Sequence, residues 1–404
     1  MSLVKKSKAG VTFPRGFKAA AVSAGLKKSG KPDLTLVVSD VPAAAGALFT
    51  TNQFPAAPVL VSQRHLRQAK HHRGVLLNAG GANACTGEAG INDARNLCAH
   101  TAALLGCSPA EILIASTGVI GARLPVPKML SALPGVVKKL RTDQGLAAAQ
   151  AIMTTDTQPK SVSTSVRVAG TTVKLGGMTK GSGMIHPNMA TMLAVITTDL
   201  GLHAAEIKPL LREACRGTFN AISVDGETST NDCVFLLANG QAGSRAHLDS
   251  AAARKAFLGA LTEVADELAR SIVEDGEGAG KFMDIRISGA ASDAQAMVAA
   301  RAVGDSQLVK TAVHGQDANW GRILSAMGAT AVIIKPERVR VDINGVPLVR
   351  RGVDAGTPVA QGNRALAGRN IIIKVDLGLG SGAARYRTCD LTAKYVAINA
   401  GYRN

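Results

Sequence analysis

Strand-like and helix-like segments alternate along the whole of this 404-residue chain, which predicts an α/β (α+β) protein built of layered sheets and helices. Two further observations support that class. Apolar residues make up 46% of the chain and are spread along its length, so a large core can be buried and disorder is excluded as the main state. Aromatics are only 3%, so that core must be built from Ala, Val, Ile and Leu. The length exceeds a typical domain of roughly 100–200 residues and calls for two domains or one large layered unit. Glycine shows no triplet period, heptads do not persist, no solenoid period is visible, and no apolar run approaches the ~18 residues of a membrane span.

The elements follow in order. Leu34–Val38 is β-branched and bounded by Pro32 and Asp40, which predicts a strand. Gly74–Asn78 is a second, running into a Gly80-Gly81 turn. Asp93–Leu105 carries apolar residues at helical spacing and stops at Gly106. Ile112–Ala115 reads as a buried strand ending in a Ser116-Thr117-Gly118 turn. Residues 128–153 read as helical, interrupted at Pro134 and Gly135. Strands are expected at Thr171–Leu175, Met192–Thr198 and Val234–Leu237, and helices at Ala204–Phe219 and Ala251–Glu274. The last third reads as strand 283–287, helix 293–303, then strands Leu308–Val313, Ala331–Ile334, Arg338–Asp342 and Asn370–Asp376. The glycine-rich acidic loop Gly276–Lys281 is the expected structural domain break.

The formal charge is +17, which first suggests a polyanionic partner. The shortage of aromatics argues against a single-strand stacking platform, and no zinc-finger, homeodomain or RNP signature is present. Cysteines 85, 98, 107, 215, 233 and 389 form neither C-x-x-C nor a Cys/His zinc spacing, the pattern of reduced core thiols and a cytoplasmic location, with no metal site. The basic N-terminus lacks the apolar stretch of a secretory signal; a short organellar presequence is the less favoured alternative.

Two glycine stretches fail as phosphate loops. Glu277–Lys281 would need Gly at 275 and Ser or Thr at 282, where Asp275 and Phe282 stand; Gly378–Gly382 has no following helix. No G-x-S-x-G elbow supports a Ser/His/Asp triad. The unusual stretch is Gly176–Asp199, where a glycine-laden loop leads to Ala190 and Thr191, with Thr191 expected to open a strand. Such a layout suits an N-terminal threonine nucleophile. An N→O acyl shift followed by hydrolysis frees an amine, reference pKa about 8, that serves as the hydroxyl's own general base. Read without further context the signal is weak, because threonine at a strand start usually expresses β-propensity alone.

Thr179–Leu193 resembles the self-cleavage segment of the ArgJ family, the ornithine acetyltransferases (glutamate N-acetyltransferases) of arginine biosynthesis. Leu76–Gly87, Ala115–Gly121, Ile152–Thr157, Ser223–Asp232 and Asp317–Arg322 resemble further family segments in the right order, from about Val11 to the C-terminus. The resemblance implies an α/β/β/α sandwich of the DmpA/ArgJ type. It implies cleavage between Ala190 and Thr191 into an N-terminal segment 1–190 and a C-terminal segment 191–404 that assemble as an α2β2 heterotetramer. It implies Thr191 as the acetyl-carrying nucleophile and Thr117 and Gly118 as the oxyanion hole. Substrate contacts would fall on Thr154, Lys180, Thr191, Glu277, Asn399 and Asn404.

The substrates so implied are N2-acetyl-L-ornithine and L-glutamate, with acetyl-CoA as a further donor left open and no metal or redox cofactor. Both substrates bring an α-carboxylate suited to Lys180, and a carboxylate such as Glu277 suits the ornithine ammonium. The bland alternatives are a solvated loop charge for Lys180 and a helix-end solvent carboxylate for Glu277. Gly401 and Asn404 depart from the usual family ending, where an acid and a hydroxyl stand. His186, five residues before Thr191, is taken as structural or incidental. The alternative functions are a self-processing amidohydrolase or aminopeptidase of the same fold and, from another class, a basic nucleic-acid-binding protein. Charge weighs against the latter: residues 1–190 hold 22 Lys and Arg against 7 acids while residues 191–404 hold 24 against 22, so the excess is diluted along one segment and can steer acidic substrates.

Overall fold

The computed structural model describes residues 4–186, 192–243 and 248–401. The expectations for Ala190, Thr191 and Asn404 lie outside the described residues.

The N-terminal part runs β1 (Lys5–Lys6), β2 (Phe17–Val22), β3 (Leu34–Phe49), α1 (Ala57–Gln68), β4 (His72–Gly81), α2 (Gly87–Leu105) and β5 (Ile112–Val119). It continues with α3 (Val126–Lys138), α4 (Gly145–Ala151), β6 (Lys160–Val168) and β7 (Thr171–Lys180). Then come β8 (Leu193–Leu200), α5 (Ala204–Arg216), β9 (Cys233–Gly243) and α6 (Ala251–Glu274). Among the described residues these strands form one nine-stranded sheet in the order β1-β6-β7-β8-β9-β3-β4-β5, with β2 also on β3.

The pivot is β3. Its residues 34–38 pair with β2 and β4, its register breaks between Val38 and Ala43, and its residues 44–49 pair with β9. The break lets the sheet fold over on itself, and side-chain alternation sorts the two faces of each half. Leu193, Val195, Phe235 and Leu237 on one half share a core with Val37, Val75, Leu77 and Leu113 on the other. The opposite-facing Ala194, Ile196, Val234 and Leu236 pack under Leu210 of α5 and Leu261, Val264 and Leu268 of α6. Leu36, Leu76 and Ile114 pack under Leu97 of α2 and Met129 and Leu133 of α3. The result is helix, sheet, sheet, helix, the sandwich expected. Strands β8 and β9 sit parallel to each other, inserted between β7 and β3.

The rest of the chain forms a second sheet from β10 (Phe282–Ala290), α7 (Asp293–Asp305), α8 (Gln307–His314), α9 (Trp320–Gly328), β11 (Arg340–Ile343), β12 (Val346–Arg350), β13 (Val353–Asp354), α10 (Val359–Arg364), β14 (Asn370–Asp376) and β15 (Gly382–Cys389). Its order is β13-β12-β11-β14-β10-β15, and α7 to α9 cover one face through Ala296, Ala300, Val303, Val313 and Met327. Helix α11 (Ala393–Gly401) returns the chain toward the first sheet. No helix among the described residues is long and apolar enough to cross a membrane.

Several sequence expectations need correction. Residues 308–313 are helical: Val309 and Val313, four apart, are buried together and the Ser306 hydroxyl accepts from the Val309 N–H as an N-cap, so helical spacing overrides β-branching. Residues 331–334 are not a strand; Ile333 is 56% exposed and, among the described residues, no neighbouring strand offers a ladder. The strand expected at 338–342 begins at Arg340, because Pro336–Arg338 forms a short turn of 3-10 helix. Pro134 and Gly135 do not interrupt α3, since both face solvent; the break falls after Lys138. The Gly80-Gly81 and Ser116-Thr117-Gly118 segments are not turns but the ends of β4 and β5, paired in parallel through Ala79 with Thr117 and Gly80 with Gly118. Of the six cysteines, Cys85 is exposed and Cys107 half-buried, so not all are core thiols.

Candidate active site

The ends of β4, β5 and β7, the loop before β6, the loop before β9 and helix α11 converge on one cavity of about 160 Å³. It is lined by Thr117, Gly118, Thr154, Lys180, Glu277 and Asn399, six of the positions singled out in the sequence. Thr191, Ala190 and Asn404 lie outside the described residues. The nearest described neighbour of Thr191 is Met192, whose N–H donates to Asp232 Oδ1 at 2.9 Å, directly before β8.

Backbone geometry fixes the β5 end. Gly118 has φ +135°, and a Cβ there would sit 2.5 Å from the carbonyl carbon of Gly80 and the nitrogen of Gly81, so only glycine fits against β4. The Ser116 hydroxyl donates to Asn78 Oδ1 at 2.6 Å, and the Asn78 amide donates to the Gly81 carbonyl at 3.0 Å. Asn231, before β9, donates to the carbonyls of Ala82 at 2.6 Å and Ser116 at 2.9 Å, tying both strand ends to the opposite wall.

Lys180, the last residue of β7, is 3% exposed and places Nζ 3.3 Å from the Thr117 hydroxyl. It is not a solvated loop charge. Burial pushes its ammonium down, and the Asp156 carboxylate opposes that shift. Asp156 in turn accepts from Lys160 Nζ at 2.7 Å, the Gly181 N–H at 2.7 Å and the Thr154 N–H at 3.0 Å. Burial alone would raise its carboxyl, but Lys160 and Lys180 together hold it at about 2. Lys160 also reaches Asp275 at 2.6 Å, so a buried charge chain braces the loop that carries Thr154.

Glu277 is buried rather than a solvent carboxylate; Oε2 accepts from Asn399 Nδ2 at 2.9 Å and its N–H donates to the Ser182 carbonyl at 2.7 Å. Gly183 makes room for it, since a Cβ there would meet the Glu277 carboxyl at 2.4 Å. Asp225 accepts from the N–H groups of Met184 at 2.6 Å and Ile185 at 2.8 Å and from the Tyr395 hydroxyl at 3.2 Å. Burial pushes the Asp225 carboxyl up, and burial followed by the Asp225 charge pushes the Tyr395 phenol up. His186 Nε2 contacts Asp305 at 2.9 Å, a link to α7.

Sequence reasoning assigned no role to Asp156, Asp225, Asn231, Asp232 or Tyr395. A signal was available for three of them: eight of the ten residues Ser223–Asp232 are polar directly before a buried strand, which marks a segment held at a sheet edge for its side chains. Among the described residues no group of three or more His, Cys, Asp or Glu is placed to hold a metal.

The chemistry available is clear. A buried ammonium and a hydroxyl meet at a glycine-ended strand, a carboxylate stands across a small polar cavity, and the chain leaves the same region at Met192. The ArgJ family profile matches residues 18–404. The arginine biosynthesis bifunctional protein ArgJ of Nitratidesulfovibrio vulgaris is 46% identical over 396 residues, covering 97% of this chain and 99% of that protein. Its counterpart in Symbiobacterium thermophilum is 44% identical, covering 98% of each. The crystal structure of the ornithine acetyltransferase of Mycobacterium tuberculosis complexed with ornithine is 42% identical over 47% of this chain and 100% of that chain, with a TM-score of 0.42. Matched over nearly all its length by the profile and by the Nitratidesulfovibrio and Symbiobacterium proteins, this chain belongs to the ArgJ family.

Proposed function

We propose that this chain is a self-cleaving acyltransferase with an N-terminal threonine, which moves the acetyl group from N2-acetyl-L-ornithine to L-glutamate in arginine biosynthesis. The observation that carries the reading is the Lys180–Thr117 contact at the cavity, on the same wall as the strand that begins just after Met192. In this reading the chain is cut between Ala190 and Thr191, and the new amine of Thr191 serves as general base for its own hydroxyl. The hydroxyl oxygen attacks the acetyl carbonyl, and Thr117 and Gly118 stabilise the oxyanion. The C–N bond to ornithine breaks, the ornithine amine takes the proton held by the Thr191 amine, and the acetyl group stays as an ester. The glutamate amine then attacks that ester and regenerates the hydroxyl.

Substrate recognition follows from the charges. Lys180 binds the α-carboxylate that donor and acceptor share. Glu277, oriented by Asn399, binds the ornithine side-chain ammonium, and Thr154, presented by the Asp156 brace, supplies a further hydroxyl. Asn404 is assigned to the same site on the resemblance alone. No step calls on a metal or redox cofactor. The cut segments form an α2β2 heterotetramer in the cytoplasm, and acetyl-CoA is a second donor to be tested in the same assay.

The test is intact mass together with label transfer. Two chains beginning at Met1 and Thr191 are expected, and acetyl-labelled ornithine should pass its label to glutamate. A single full-length chain without transfer refutes the proposal. Acetate release that ignores added glutamate would make the protein an amidohydrolase instead.

A further inference from the structure

Next to the active cavity lies a second and larger one, of about 480 Å³ against about 160 Å³. The same two loops wall both. Thr154, Thr155 and Glu277 line the active cavity, while Thr157, Asp275 and Gly276 line the second. Its other sides come from β1, β6, the end of α6, the start of β14 and α11. Elements far apart in sequence thus enclose a space of the size that small-molecule sites have, roughly 300–1,000 Å³.

The charges around it are not balanced. Lys6, Lys160, Arg369 and Lys394 line it, against Glu274 and Asp275. Both acids are already engaged. Glu274 Oε1 accepts from Arg270 Nε at 2.8 Å. Asp275 accepts from Lys160 Nζ at 2.6 Å, from the Thr157 N–H at 3.0 Å and from the Thr157 hydroxyl. The cations are less committed. Among the described residues Arg369 makes one hydrogen bond, from Nη2 to the Glu274 carbonyl at 3.1 Å. Lys6 and Lys394 are exposed; Glu267 of α6 feels Lys6, and among the described residues neither lysine has an ion-pair partner.

Lys160 is the buried cation of the set and the link between the two cavities. Its Nζ lies 2.7 Å from Asp156 as well as 2.6 Å from Asp275. Asp156 in turn acts on Lys180 of the active cavity. Charges of alternating sign therefore run Asp275, Lys160, Asp156, Lys180 from one cavity to the other. The last three are buried, so they are little screened.

We propose that the second cavity is a binding site for a small dianion, a dicarboxylate or a phosphate, whose presence weakens substrate binding in the active cavity. The dianion pairs with Lys6, Arg369 and Lys394 and draws on Lys160. Lys160 then gives less to Asp156, and Asp156 gives more to Lys180, so less of that ammonium is left for a substrate carboxylate. The effect on the substrate rests on the proposed role of Lys180; the binding of the dianion does not.

Succinate and inorganic phosphate, neither of which carries an amine, are the probes, titrated by calorimetry into the full protein at constant ionic strength. One dianion per chain is expected. The double variant Lys6→Ala, Lys394→Ala, which changes only exposed side chains, should bind it about tenfold or more weakly, with kcat and KM in its absence as in the wild type. The probe that binds identifies the source, dicarboxylate or phosphate. No binding of either up to about 10 mM, or equal binding by the double variant, overturns the site. In the acetyl-transfer assay the bound dianion should raise KM for acetylornithine about fivefold or more and then level off, with kcat kept. A KM that climbs linearly with the probe, in the double variant as well, is competition in the active cavity and overturns the coupling, as does an unchanged KM at saturation. If no acetyl transfer occurs at all, the proposed function fails first, and the calorimetry still decides the site.

Discussion

Lys180 Nζ approaches the Thr117 hydroxyl to 3.3 Å although the two residues are 63 positions apart in sequence and on strands that do not pair with each other. The contact is made across the fold of the sheet at β3, so the two halves of the sandwich meet at the cavity. A buried cation beside a hydroxyl makes this wall of the cavity one where an anionic group can be held.

Thr117→Val should keep the fold, because a methyl replaces the hydroxyl in a buried strand end. Acetyl transfer measured with labelled acetylornithine should fall about 10²–10³-fold in kcat.

Gly118→Ala should fail structurally. The added Cβ meets the backbone of Gly80 and Gly81 at 2.5 Å, and φ +135° is unfavourable for any L side chain. A loss of about 2 kcal/mol or more, read in a denaturant melt, is expected together with loss of activity.

Asp156→Asn removes the carboxylate shared by Lys160 and Lys180, leaving Lys160 with Asp275 and the buried Lys180 without its main counter-charge. Destabilisation of about 3–5 kcal/mol is expected. In the wild type this carboxyl sits at about 2 against 3.8 for a free one, so its contribution is complete above pH 3.8 and is lost as pH falls toward 2. The variant should lack that part of the acid transition.

His72 gives a second acid-sensitive point. The ring is buried, and burial holds the imidazole at about 4 against 6.5, with the His65 backbone opposing the shift. The unfolded chain takes up a proton first, so the full contribution stands above pH 6.5 and is lost as pH falls toward 4, up to about 3 kcal/mol. His72→Leu should flatten stability over that interval; an unchanged slope would count against it.

Glu277→Gln should raise KM for acetylornithine by about tenfold or more while leaving the masses of the two chains unchanged, because the carboxylate is assigned to the substrate ammonium and not to cleavage.

Much of this was legible in the chain. The buried strands Asn370–Asp376 and Ile112–Ala115 and the long helix Ala251–Glu274 declare themselves because one periodicity dominates each. The helix at Gln307–His314 was hidden by β-branched valines, and only its Ser306 cap argued the other way. In the site, Thr117, Lys180 and Glu277 could be named from motifs. Asp156 and Asp232 could not, because their importance comes from what tertiary contact buries beside them: two lysines in one case, a strand-opening amide in the other.

The insertion of β8 and β9 between β7 and β3 has a consequence for how such a protein can be made. A break of the chain after Ala190 would leave strands of the later piece hydrogen-bonded on both flanks to strands of the earlier one. Synthesised apart, the earlier piece would offer two raw strand edges and the later one a two-stranded ribbon, each a template for mispairing. Were the chain cut there, maturation would have to come after folding, and the single reading frame would serve as the assembly chaperone of the two pieces.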